Sequence, residues 1–272
     1  MNALISQWKA DLRRTSRDKR FFILTLVMPV LLYLLFSNKT SGSPAQNAYT
    51  MVAMAVFGVI TSSVNTLSVR LAAERQSGWT TFLRTTPLSS VTYTIGKALT
   101  QLVLTLATIL VVFAVGCFFK GVSLPIQTWI FEVLWFCLAS LPFAMLGILI
   151  GMTGSSAQIL GALAYLILAL LGGLFGKTTG MLQDFDKWLP THYFAQPGWD
   201  MLQGKTPDLV TDVAVLAGYA LLFIAISAMI QHSSNFAEGF SLKKFWQKYK
   251  RFIIVGLIII WIIFRRFIIS KF

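Results

Sequence analysis

Six apolar runs dominate this chain: Phe21–Phe36, Tyr49–Val69, Leu102–Phe119, Trp129–Met152, Ile159–Phe175 and Leu209–Ile230. About 17 to 25 apolar residues in a helix cross the roughly 30 Å hydrocarbon core of a bilayer, so each run is sized for one crossing. Unpaired backbone amides are too costly in lipid for anything but helices or closed barrels, and runs of this length predict an all-α polytopic membrane protein with six transmembrane helices. A mean hydropathy of +0.71, with 56% hydrophobic and 12% charged residues, excludes an ordinary soluble fold of the same length. Six basic residues precede the first run and no small-residue cleavage site follows it, which predicts a retained span and not a cleaved signal.

Basic residues are retained on the cytoplasmic side, so their distribution predicts orientation. With the N-terminus inside, fifteen Lys and Arg fall in three inner segments: Lys9, Arg13, Arg14, Arg17, Lys19, Arg20; then Arg70, Arg75, Arg84, Lys97; then Lys243, Lys244, Lys248, Lys250, Arg251. Only five, Lys39, Lys120, Lys177, Lys187 and Lys205, fall in outer loops. The formal charge of +13 therefore signals orientation and lipid headgroups. Basic residues split among three juxtamembrane segments form no nucleic-acid module, and no nucleic-acid partner is expected. The expected location is a plasma membrane, multi-pass, with the N-terminus cytoplasmic.

Three regions are expected. Residues 1–20 place Leu4, Ile5, Trp8 and Leu12 on one face with arginines gathering toward the membrane, which predicts an interfacial amphipathic helix. Residues 21–235 form the six-span domain. Within it, Pro142 predicts a kink in the fourth span, and Gly147 and Gly151 close approach to a neighbour. Short helices are expected at Gly180–Leu189 and Gln196–Leu202, separated by Pro190 and Pro197. Residues 236–272 form a basic amphipathic tail with a stripe of Phe245, Trp246, Tyr249 and Phe252 and a short apolar segment, 252–264, read as lying shallow in the interface.

Catalytic chemistry has no footing here. The segment Gly172–Thr178 mimics a phosphate loop, but Leu171 stands where its first glycine is required and no strand precedes it. His192 and His232 are expected in loops on opposite sides of the membrane. Cys117 and Cys137 match no metal or redox spacing and are expected as buried thiols. Glu132 enters the fourth span near its outer end, where its shallow depth predicts a charge solvated at the interface.

The polar stretch between the second and third runs is different in kind. Ser77 is expected to cap a short helix in which Trp79, Phe82 and Leu83 make an apolar ridge beside Arg75 and Arg84, stopped by Pro87. Physical chemistry alone leaves two readings open, an elbow lying on lipid or a docking surface. The order Glu74-Arg75-x-x-Gly78, Leu83, Pro87-Leu88-Ser89, Gly96-Lys97 resembles the type-2 ATP-binding-cassette permease family, with the likeness covering roughly residues 1–235.

The resemblance implies an exporter permease that works as a dimer, with a second copy or a paralogue, and seats a coupling helix on a separate cytosolic ATPase. Glu74, Arg75, Gly78, Leu83, Pro87 and Leu88, with the ridge residues Trp79 and Phe82 and the adjacent Arg84, are then the contact. ATP and magnesium belong to the partner, and this chain binds no cofactor or metal and is no enzyme. Trp79 replaces a usual Thr and Thr81 a common acid, which bears on which ATPase fits, and the family pattern gives no counterpart for the tail after about Glu238. Few charges within the spans leave room for amphipathic cargo such as a drug, peptide or lipid-linked molecule. The alternative function is a non-transporting immunity or scaffold protein that sequesters a toxic peptide.

Overall fold

A computed structural model describes residues 2–17, 19–39, 43–79, 90–176 and 185–233. The described residues are helical, without strands: α1 (Asn2–Arg17), α2 (Lys19–Lys39), α3 (Pro44–Ile60), α4 (Leu67–Gln76), α5 (Ser90–Lys120), α6 (Ile126–Ala139), α7 (Leu141–Gly151), α8 (Ala157–Leu171), α9 (Pro190–Leu202) and α10 (Leu209–Ser233). Five continuous stretches are long and apolar enough to cross a membrane: Pro44–Gln76, Thr92–Lys120, Ile126–Gly151, Gly154–Leu171 and Leu209–Ile230. A shorter apolar stretch, Thr25–Ser37, lies within α2.

The stretch from α3 to α4 is the axis of the bundle. Its most apolar window is 78% buried, whereas that of Leu209–Ile230 is 11% buried and has most of its side chains outward. Ser43 opens α3 by accepting the Gln46 amide, with Pro44 in the first turn, where a missing N–H costs nothing. Between α3 and α4 the chain runs as a π-helix over Thr61–Thr66, and the Thr66 hydroxyl donates to the Thr61 carbonyl at 3.2 Å. The wider coil carries a polar sequence through the apolar region. Gln101 of α5 donates to Ser62 Oγ at 2.9 Å and Ser63 Oγ at 3.1 Å, which ties α5 to this segment.

Lipid tails are as apolar as leucine, so helices in a bilayer associate through close packing and polar contacts. Gly147 and Gly151 do this for α7. A Cβ at Gly147 would lie 1.9 Å from the Ser63 carbonyl oxygen, and one at Gly151 would lie 2.7 Å from Leu71 Cβ. The expected kink near Pro142 is a break at Ser140 that separates α6 from α7, with Pro142 in the first turn of α7.

The opposite end from α1 is closed by residues 185–208. Trp135 Nε1 donates to the Phe194 carbonyl at 2.9 Å, Trp199 stacks on Tyr49 at 6.1 Å, and the Tyr219 hydroxyl donates to the Trp188 carbonyl at 2.6 Å. Phe194 packs against Phe136 and Phe143 in the buried core.

Several sequence expectations change. Of the expected Gly180–Leu189 helix, residues 180–184 lie outside the described residues and Asp186–Trp188 form a short 3-10 turn; α9 then begins at Pro190 and runs through Pro197, where a separate helix was expected to start at Gln196. Pro190 occupies a position that needs no amide donor, while burial of Phe194, Ala195 and Gly198 holds the turn around Pro197. His192 consequently lies in a helix, and His232 lies in α10. Cys117 is exposed on its helix surface and Cys137 is half-buried, so neither is the fully buried thiol expected. Glu132 is the sharpest correction: its side chain is fully buried, because the face of α6 that carries it also carries Trp135 and Phe136 into contact with α9. Shallow depth in the sequence did not translate into access to water.

Candidate coupling site

Three helices bring ionisable side chains together at the end of the bundle where α4 ends and α5 begins. Arg70 and Glu74 are four residues apart on α4, and Tyr93 and Lys97 four apart on α5, so each pair shares a helix face. Asp11 and Arg14 come from α1. Lys97 is 2% exposed and its ammonium donates to Asp11 Oδ1 and, at 2.6 Å, to Glu74 Oε1. The second oxygen of each acid is also engaged: Tyr93 OH donates to Glu74 Oε2 at 2.5 Å, and Arg70 Nη2 lies 3.5 Å from Asp11 Oδ2. At the rim, Arg14 reaches Glu74 at 3.8 Å and lies over the Trp79 ring at 5.7 Å.

Charge and burial together determine what such a cluster does. A lone ammonium in a dry site would cost several kcal/mol, and at Lys97 two carboxylates stand where water would otherwise be. Buried ion pairs add little net stability over apolar packing, yet breaking one strands its partners. The arrangement therefore acts as a register pin. It sets α1 against the α4–α5 junction, and the spacing admits few other alignments.

From this pinned junction the chain turns outward. The Ser77 hydroxyl donates to the Glu74 carbonyl at 3.0 Å, so Ser77 closes the end of α4; the helix it was expected to open lies, beyond Trp79, outside the described residues. Gly78 follows at φ +74°, and a Cβ added there would meet nothing within 4 Å, so glycine is needed for its backbone conformation and not for space. Arg75 donates to the Met152 carbonyl at 3.3 Å and so attaches the end of α4 to the end of α7. Trp79 is half-buried beneath Arg14. The remaining expected contact residues, Phe82, Leu83, Arg84, Pro87 and Leu88, lie outside the described residues, as does the tail from residue 234 onward with its aromatic and basic stripe.

Thus the structure brings Glu74, Arg75, Gly78 and Trp79 into one locality with Lys97. Sequence reasoning missed Asp11, Arg14, Arg70 and Tyr93 as members of the same cluster. A signal for Asp11 was present: Leu4, Trp8, Asp11 and Thr15 follow helical spacing, so an acid sits on the face that reads as apolar. Asp11 and Thr15 are buried on that face while Ile5 is 41% exposed. The inner face of α1 is therefore protein-facing and partly polar, where the sequence predicted one wholly apolar stripe.

At the other end of the bundle, His192 Nδ1 lies 3.4 Å from Asp186 Oδ2. Burial pulls the His192 pKa below its usual value and outweighs the opposing pull of Asp186. Among the described residues no group of His, Cys, Asp or Glu is arranged to hold a metal.

A bundle with five membrane-length helices, a charge-pinned amphipathic helix at one end and a helical cap at the other defines a polytopic membrane protein. Residues 2–197 match the ABC-2 type transporter family, and the chain belongs to it. It is 32% identical over 244 residues, covering 86% of this chain and 99% of the relative, to a Bacillus subtilis (strain 168) protein named "Putative transport permease YvfS". No solved structure matches. The chain is accordingly a multi-pass ABC transporter permease subunit, without ATPase activity of its own, of a kind that works with ABC ATPase subunits. Family membership displaces the alternative of a non-transporting immunity or scaffold protein.

Proposed function

We propose that this chain is the membrane half of an exporter, with α2 as the first of six spans and with α1, the cluster around Lys97 and residues 77–89 on the cytoplasmic face. The charge asymmetry of the loops supports that orientation. The permease domain works as a dimer with a second copy or a paralogue, and the ATPase, with its ATP and magnesium, is a separate chain. Glu74, Arg75, Gly78, Trp79, Phe82, Leu83, Arg84, Pro87 and Leu88 form the segment that the ATPase engages.

The observation that carries this reading is Lys97, buried between Asp11 and Glu74. A segment that must convey force needs rigid attachment at both ends. Here its two flanking helices, α4 and α5, are locked to each other and to α1 by one ammonium, so displacement of residues 77–89 moves three helices together. The work is a population shift between inward- and outward-facing arrangements driven by the partner. Amphipathic cargo is favoured by the apolar spans, in which ionisable groups are few.

The test is affinity purification of the detergent-solubilised permease from its native membrane, with ATPase activity measured in the eluate. We expect an ATPase subunit to co-purify with the wild type and to be lost from Leu83→Asp at unchanged permease yield. Retention of the ATPase by that variant overturns the coupling assignment.

A further inference from the structure

Glu132 plays no part in the coupling cluster and lies at the other end of the bundle. It is the seventh residue of α6, about 9 Å along the helix from Ile126. Its side chain is 0% exposed, and both carboxyl oxygens are buried without a hydrogen-bond partner. One turn further on, Phe136 is enclosed by Phe113 at 6.5 Å, Phe194 at 5.4 Å and the bare backbone of Gly198. The face that carries Glu132 is therefore packed shut against α5 and α9.

The titratable groups on the helices packed against α6 are directed elsewhere. On α9, Asp200 accepts from Gln196, His192 pairs with Asp186, and the Tyr193 hydroxyl donates to the Lys187 carbonyl. On α5, Cys117 is exposed and Lys120 closes the helix end, while α7 carries no ionisable residue. A carboxylate in this position would have neither a cation nor a donor to replace water, a state that costs several kcal/mol. A neutral carboxylic acid leaves only ordinary polar atoms unpaired, a smaller penalty of about 1–3 kcal/mol.

We propose that Glu132 is a proton-binding site, occupied in this packed arrangement, whose ligand is a proton taken from water. Ionisation requires water at the carboxyl, so the bound proton is tied to closure of α6 against α5 and α9. Separation of these helices would release it.

Infrared spectroscopy of the purified full-length protein tests this at neutral pH, in an alkyl-glycoside detergent that contributes no carbonyl band. The wild type should show a carboxylic-acid C=O stretch, separate from carboxylate and amide bands, that is missing from Glu132→Gln while the amide bands are unchanged. Superimposable spectra in the carboxylic-acid region overturn the proposal. Should Glu132→Gln fail to fold, Glu132→Asp supplies the test: it keeps an acid in a displaced position, so the band must shift, and a band identical to wild type overturns the assignment.

Discussion

Replacing Lys97 with methionine keeps the length of the side chain and removes its charge, leaving Asp11 and Glu74 to face each other in a site that is 2% exposed at the lysine. At 2.6 Å from Glu74 Oε1, the gross attraction is about 6 kcal/mol at an effective dielectric constant near 20. A similar attraction to Asp11 adds to it, and desolvation of three ions offsets most of the sum. What remains measurable is the cost of leaving two buried acids without their shared ammonium, offset in part by Arg70 beside Asp11 and by Tyr93 and Arg14 beside Glu74, about 3–5 kcal/mol. For a chain of this size that corresponds to a fall in Tm of about 10 °C. Thermal unfolding of the purified permease in one detergent, followed by intrinsic tryptophan fluorescence, reads it directly. The decisive comparison adds Asp11→Asn and Glu74→Gln to Lys97→Met, so that no charge of the triad is left unpaired; this triple variant should recover most of the lost Tm. A single variant that melts like wild type, or a triple variant that melts no higher than the single, refutes the account of Lys97 as a charge-satisfied pin.

Two further outcomes follow from local geometry. Gly147→Ala places a methyl group into the Ser63 carbonyl, where the Cβ would sit at 1.9 Å, and should cost about 1–3 kcal/mol, seen as a lower Tm. Gly218→Ala, with nothing within 4 Å, is its control and should be neutral or slightly stabilising; equal losses at both positions would remove the close-packing argument. His192 has its pKa lowered by burial, so the unfolded chain binds the proton more readily than the folded one as pH falls through the ordinary value of 6.5. Stability contributed by the neutral imidazole is present above that value and declines below it, and His192→Gln should flatten the fall in Tm between neutral and mildly acidic pH. An identical pH profile for the variant would count against burial as the dominant influence.

The helices themselves were legible because lipid imposes a length requirement that any reader of apolar runs can apply. Five of the six runs, from Tyr49 to Ile230, coincide with membrane-length helices, and the first lies within α2. The break just before Pro142 and the contact at Gly147 were equally legible, because a proline without its amide donor and a glycine without a side chain act locally. The π-helical turn at Thr61–Thr66 carried no such local mark. It is met by Gln101, 39 and 38 residues away in sequence, which reaches Ser62 and Ser63.

The candidate site was half legible. Glu74, Arg75, Gly78 and Lys97 stood out by their order, and family likeness gave them a role. Asp11 did not stand out, because its importance arises from partners 59 and 86 residues distant, Arg70 and Lys97, and helical spacing alone cannot say which face of α1 meets protein. Ser77 shows the same limit at short range: its residue type suits either end of a helix, and its hydroxyl bond to the Glu74 carbonyl, which closes α4, is a contact that residue type alone does not specify.

By itself, then, the sequence determined that this chain crosses a membrane as helices, which side is richer in positive charge, and where a charged elbow interrupts the apolar runs. These are one-dimensional properties, set by length, hydropathy and order. Only the tertiary structure decided which charges meet and which lose contact with water. Lys97 and Glu132 are both ionisable residues near the end of an apolar helix, yet one is enclosed by two carboxylates and the other is buried with no partner for either carboxyl oxygen. The free energy of an ion depends on what replaces its hydration shell, and that replacement is supplied by neighbours in space, most of them far away along the chain.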